Sequence, residues 1–74
     1  MLVFPVKAMP GMSAEQAVKE CMQYCNKHKV ALDLLWVSIV QRIIPGPVTP
    51  ARIDNYLDSM NKEAEQLLAR ANKN

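Results

Sequence analysis

The chain has 74 residues, half of them apolar, and a formal net charge of +2. A chain this short forms one domain at most and buries only about 60% of its unfolded surface. Its apolar content excludes a disordered chain. Nine Lys/Arg against seven Asp/Glu argue against a protein that binds nucleic acid or anionic membranes through dense basic clusters.

Residues 1–12 are predicted to form an extended apolar arm. Pro5 and Pro10 exclude a helix interior here and push the preceding residues toward extended geometry. The arm's large apolar residues are Leu2, Val3, Phe4, Val6, Met9 and Met12. Two interpretations are open, a frayed terminus or an arm laid in a groove of its own or a neighbouring subunit. The apolar content favours docking, because large side chains left in water forfeit about 1.5–3 kcal/mol each.

A first helix is predicted over about 14–44, where the chain contains neither Gly nor Pro. Ser13 is a suitable N-cap, and Gln16 lies three residues later, as a capping box requires. Apolar or small residues then recur at steps of three and four. This ladder consists of Val18, Cys21, Cys25, His28, Leu32, Leu35 and Ile39.

Residues 26–29 are polar, so the predicted helix could be continuous or could be broken there. The ladder passes through them without changing phase, which favours one helix and an elongated hairpin. A break there would instead give a compact three-helix bundle.

The segment Val30–Ile44 is rich in β-branched residues, which favours a strand. Strict alternation is absent, however, and the apolar residues follow helical spacing. We therefore expect a helix that is apolar on nearly every side and needs more than one neighbour to bury it. Trp36 fits the core of such a segment or an interface anchor, since Trp is enriched in binding hot spots.

The Pro45-Gly46-Pro47 elbow ends this helix, and a second helix is predicted over about 50–71, with fraying at residues 72–74. Thr49 is a suitable N-cap, and Pro50 occupies the first helical position, where its missing N–H costs nothing. The predicted fold is therefore all-α, an antiparallel helical hairpin over 13–74 with the extended N-terminal arm. We expect it to assemble as an oligomeric helical bundle, most simply a homodimer.

Cys21, Cys25 and His28 share one face of the predicted first helix and are the candidate metal ligands. Thiolate and imidazole suit zinc or copper(I). A structural zinc site usually pairs two tight Cys/His motifs, and this chain has one loose group. Seam positions in a helix pair explain the three residues better, so no metal or other cofactor is predicted.

No catalytic arrangement is recognisable, and the chain is predicted not to be an enzyme. No acidic pair is placed for general acid–base work. The only glycines are Gly11 and Gly46, which excludes the usual phosphate-binding loop. The basic candidates for binding a nucleic-acid backbone are Lys27, Lys29, Arg42 and Arg52, but interspersed acidic residues weaken that pattern.

The surplus apolar surface predicts a small non-enzymatic regulatory or adaptor protein that self-associates and binds another protein. Nucleic-acid-backbone binding and metal binding are the alternatives. The interface candidates are Leu32, Leu35, Trp36, Ile39, Val40, Ile43, Ile53, Leu57 and Met60. We expect a cytoplasmic protein without membrane contact, because no secretory leader is recognisable and the apolar segment of about 15 residues is shorter than the roughly 20 that span a bilayer.

Overall fold

The computed structural model describes residues 1–71 and shows a mixed α/β fold with a three-stranded sheet and two helices. The elements in chain order are β1 (Val3–Lys7), α1 (Ala14–His28), β2 (Ala31–Trp36), β3 (Ile39–Ile43) and α2 (Pro50–Ala71). The prediction of an all-α helical hairpin in a helical bundle is therefore wrong. The fraying expected at residues 72–74 lies outside the described residues.

Helix α1 starts where the sequence indicates and ends much earlier than predicted. The Ser13 hydroxyl accepts a hydrogen bond from the Gln16 backbone N–H at 3.2 Å, as expected of the N-cap. The helix ends at His28 because Lys29 adopts the left-handed conformation (φ 56°) and donates its N–H to the Cys25 carbonyl. The continuous helix predicted over about 14–44 is thus wrong, and a strand rather than a third helix follows the break.

The segment predicted as an all-round apolar helix is a β-hairpin formed by β2 and β3. Leu32, Leu34 and Trp36 alternate along β2 and face the helices, and the turn at residues 37–38 shifts the phase so that Ile39 and Ile43 face them too. Trp36 and Ile39 are cross-strand partners. In each strand every second residue faces the helices, and the two-residue turn offsets the second strand from the first. The apolar residues of the hairpin therefore recur at spacings that resemble those of a helix.

Strand β2 lies in the centre of the sheet, with β1 parallel on one side and β3 antiparallel on the other. The N-terminal segment that was predicted as an extended arm supplies β1, in the register Val3↔Ala31 to Lys7↔Leu35. A parallel partner requires a long crossover, which α1 provides.

Helix α2 occupies the range predicted for the second helix. The Thr49 hydroxyl accepts a hydrogen bond from the Arg52 N–H at 3.3 Å, and the Thr49 carbonyl accepts one from the Ile53 N–H at 3.0 Å. Ile53 and Met60 are its buried residues. Neither helix within residues 1–71 has the length and apolar composition needed to cross a bilayer.

Both helices pack on the same face of the sheet, because α1 contacts β2, β3 and α2, and α2 contacts β3. One hydrophobic core fills this layer, and the other sheet face lies open. The core residues are Ala17, Val18, Cys21, Met22, Cys25, Leu32, Leu34, Ile39, Ile43, Ile53 and Met60.

Candidate protein interface

The nine residues predicted as a protein interface occupy three different environments. Leu32, Ile39, Ile43, Ile53 and Met60 are buried in the chain's own core, Leu35, Trp36 and Leu57 are half-buried, and Val40 is exposed. Leu35 and Val40 are cross-strand partners on the open face of the sheet, whereas Trp36 and Leu57 pack against the core. The set therefore does not form one continuous exposed surface.

The basic candidates are divided between partnered and exposed side chains. Arg42 Nε and Nη2 donate to the two carboxylate oxygens of Asp33 at 2.9 and 3.1 Å. These bonds hold the pKa of the Asp33 carboxyl below its ordinary value. Lys27 and Lys29 are exposed at the C-terminal end of α1.

Arg52 organises the elbow between β3 and α2. Its guanidinium donates to the carbonyls of Pro47 and Ile44 at 2.9 and 3.3 Å and to the Tyr56 hydroxyl at 3.1 Å. It also lies over the Tyr56 ring, 5.7 Å from the centroid, and occupies the space that a side chain at Gly46 would need. With two of the four basic candidates engaged by their own chain, the structure does not bring the four together as one basic surface.

The cysteines behave as core residues. The Cys25 thiol donates to the Ile43 carbonyl at 3.4 Å, and burial raises its pKa. Burial, with smaller contributions from the negative charges of Cys25 and Glu20, raises the pKa of Cys21 to about 11. His28 is exposed, and its ring lies 4.2 Å from that of Tyr24. Among residues 1–71 no group of three or more His, Cys, Asp or Glu side chains could hold a metal ion.

A surface that the sequence did not single out lies beside β1. The helices pack over β2 and β3, and neither of them covers β1. Phe4 and Val6 are paired with the core residues Leu32 and Leu34 and therefore point to the helix side of the sheet. Val6 is half-buried against the core and Phe4 is exposed, so the sheet carries a partly uncovered strip on the face that is otherwise buried.

The hollow between β1 and α1, which we call the β1 groove, has a volume of about 210 Å³. Its floor is apolar, its walls carry Met9, Met12 and Tyr24, and Glu20 stands at its α1 rim. Lys7 also lines the hollow, but it pairs with Leu35, so its side chain points to the open face of the sheet. The floor consists of Val6, Ala8, Ala17, Cys21, Leu32 and Leu34. Sites for drug-sized ligands usually measure about 300–1,000 Å³. The groove therefore has room for a few inserted side chains rather than for such a ligand.

Large apolar side chains around the groove are exposed. Phe4 is 47% exposed, Met9 68% and Tyr24 49%. Met9 and Tyr24 line the hollow, and Phe4 lies on the same face of the sheet as Val6. Single exposed apolar residues are ordinary, but several of them beside an apolar hollow are typical of an interaction surface.

The outer edge of β1 is protected against addition of another strand. Leu2 accepts from the Ala31 N–H at 2.9 Å and Ala8 donates to the Leu35 carbonyl at 3.2 Å, so alternate residues of β1 bond to β2. Pro5 belongs to the other set, which faces outward, and it has no N–H to offer. A proline on an edge strand is a known protection against edge-to-edge pairing. Contact at this side of the molecule therefore depends on side chains.

Phe4, Met9 and Tyr24 were absent from the predicted interface. The available signal was the alternation of Leu2, Phe4 and Val6, which places three apolar side chains on one face of an extended segment. The sequence alone does not identify this surface, because tertiary packing determines which strand the helices leave uncovered.

The comparisons with known proteins give no assignment. The chain matches no protein-family model, no curated protein sequence and no solved structure.

Proposed function

We propose that this chain is a small non-enzymatic adaptor or regulatory protein that acts by binding other proteins, with the β1 groove as its contact surface. The observation that carries the proposal is the group Phe4, Met9 and Tyr24, exposed beside an apolar hollow over the one strand that neither helix covers. Burying one such large side chain contributes about 1.5–3 kcal/mol. A few of them therefore supply a useful binding energy.

The chemistry of the groove favours an amphipathic helix as the bound segment. It lies next to α1, where a third helix of the same layer would sit, and Pro5 interrupts the donors needed for strand addition. An amphipathic helix would insert residues spaced three and four positions apart and leave its polar face in water.

A cytoplasmic location forms part of the proposal. Cys21 and Cys25 are both unpaired thiols within the described structure. Unpaired cysteines in a small domain suit a reducing compartment, since small secreted domains usually rely on disulfides.

The test is a selection of helical peptides from a random display library on the purified full chain, followed by mapping of the binding site by NMR. We expect enrichment of peptides with apolar anchors at helical spacing, and shifts centred on Phe4, Met9 and Tyr24. Tyr24→Glu should weaken the selected peptides about tenfold or more, as expected when a central apolar contact is lost. Val40→Glu, at an exposed position on the opposite sheet face, is the matched control and should leave their binding unchanged.

Two results would contradict the proposal. One is a selection without helical enrichment. The other is peptide binding that is weakened by Val40→Glu and not by Tyr24→Glu, since the open sheet face would then be the contact surface.

A further inference from the structure

The C-terminal half of α2 is only partly covered by its own chain. Met60 is the last buried residue of the helix, and between it and Ala71 only Ala64 is even half-buried. At 1.5 Å per residue, 22 residues extend about 33 Å. The molecule measures 44 × 25 × 23 Å, so α2 is longer than either of its shorter dimensions. The distal half of α2, residues 61–71, lies beside the β2–β3 turn, where Ser38 and Leu67 line one hollow, and leaves Leu68 exposed.

This distal half carries an apolar stripe. Ala64, Leu67, Leu68 and Ala71 recur at helical spacing, and Leu67 and Leu68 are 38% and 64% exposed. Isolated helices of this length are marginal in water, and helices in proteins gain most of their stability from packing of an apolar face. The stripe continues the buried face of α2 beyond the point where its own sheet covers it.

The two uncovered surfaces of the molecule have complementary shapes. The β1 groove lacks a helix, and the outer side of the distal half of α2, with Leu68, is uncovered. We propose that a second copy of this chain fills the β1 groove with the distal half of its α2, and that the exchange is reciprocal in a symmetric dimer. The proposal rests on the proposed function, because the β1 groove is the contact surface in both, and a target helix would bind there by displacing the α2 of the second copy.

A charge beside each surface also matches. Glu20 stands at the α1 rim of the groove. On α2, Glu65 and Arg70 lie on opposite flanks of the apolar stripe, as follows from the helical repeat. One orientation of the incoming helix therefore brings Arg70 beside Glu20 and keeps Glu65 on the far flank, away from that carboxylate. Such rim pairs contribute more to orientation than to affinity.

The exchange of helices between the two copies is reciprocal if the dimer has two-fold symmetry. In a two-fold dimer each chain gives one helix and receives one, so that both apolar surfaces are covered twice and none is left to recruit a third copy. Each chain then contributes side chains that its own groove lacks.

The test is light scattering on a sizing column, applied to the full chain over a wide dilution series. We expect a dimer that dissociates on dilution. Leu68→Glu on the stripe and Tyr24→Glu at the groove wall should each weaken the dimer about tenfold or more. Val40→Glu should not weaken it. All three positions are exposed, and circular dichroism verifies that each variant remains folded.

Mixing the two defective variants gives the sharpest result. In a mixed dimer the intact stripe of Tyr24→Glu meets the intact groove of Leu68→Glu in one contact, and both substitutions fall in the other contact, whereas a dimer of either variant alone has a defect in both contacts. A contact that one Glu has already opened loses little more to a second. We therefore expect the mixture to recover part of the association that the separate variants have lost. A contact between identical surfaces of two copies would show no such recovery.

The outcomes separate this inference from the proposed function. A monomer at every concentration that still binds the selected helical peptides in the groove overturns the reciprocal dimer alone. A dimer that Val40→Glu dissociates also overturns it, since the open sheet face would then be the interface. A monomer whose groove binds no helical peptide overturns both.

Discussion

Val37 is the residue whose backbone conformation fits its side chain least well. It is the first residue of the two-residue turn between β2 and β3, it has φ 57°, and it is 82% exposed. Positive φ at the first turn residue alone is the pattern of a type II′ turn, which normally has Gly there. A β-branched residue in this region is strained, typically by about 1–3 kcal/mol.

Val37→Gly is therefore expected to stabilise the fold by about 1 kcal/mol, because relief of the strain exceeds the extra entropy of glycine in the unfolded chain. The measurement is the midpoint of denaturant unfolding. Val40→Gly in the adjoining strand is the control and should destabilise by about 0.5–1 kcal/mol, since Val40 has no positive φ to relieve. Equal losses in the two variants would show that Val37 is not strained.

The raised pKa of Cys21 predicts a slow and pH-dependent reaction with alkylating agents. An ordinary cysteine has a pKa near 8.5, and burial raises that of Cys21 to about 11. At pH 8 the thiolate fraction of Cys21 is therefore more than about a hundredfold lower than that of an ordinary cysteine. This fraction should rise as the pH approaches 11. The folded state binds this proton more tightly than the unfolded state does, so the stability it contributes is complete below the ordinary pKa and is lost as pH rises from there toward 11.

Mass spectrometry of iodoacetamide adducts at pH 8 measures this effect. Cys21 and Cys25 should react slowly in the folded chain and rapidly in urea. Fast modification of Cys21 without denaturant would show that the thiol is exposed and that its pKa is not raised.

At the scale of elements, the elbow between β3 and α2 is held by side chains from both helices. The Asn26 amide of α1 makes two hydrogen bonds to Gly46, donating to its carbonyl at 2.8 Å and accepting from its N–H at 2.7 Å. From α2, Tyr56 receives a hydrogen bond from the Ile44 N–H at 3.2 Å. These contacts fix the start of α2 relative to the end of α1.

Asn26→Ala is expected to cost about 1–3 kcal/mol, because both polar groups of Gly46 then lose their partners in a partly buried place. Denaturant unfolding measures the loss. Asn55→Ala, at an exposed position of α2, is the matched control and should change the stability by less than about 0.5 kcal/mol. A similar small change for Asn26→Ala would show that the paired hydrogen bonds do not hold the elbow.

The sequence predicted those elements whose boundaries carry local signals. Ser13 with Gln16, and Thr49 with Pro50, mark the starts of the two helices through hydrogen bonds that involve only neighbouring residues. The sequence does not predict the hairpin, because Val37 and Ser38 are not residues that indicate a turn. Without a predicted turn, the apolar residues of the two strands fit the spacing of a single helix. The β1 groove could not be predicted either, since it depends on which strand the helices cover.

At the scale of the whole molecule, the β1 groove has walls from segments that are far apart in the chain. The β2–β3 hairpin closes through a two-residue turn, whereas β1 is joined to β2 only after the whole of α1. Contacts between distant residues form late in folding, because the loop entropy must first be overcome. β1 should therefore join a sheet that the hairpin and helices have already organised. The β1 groove would then exist only in the completed fold, after the last strand has joined the sheet.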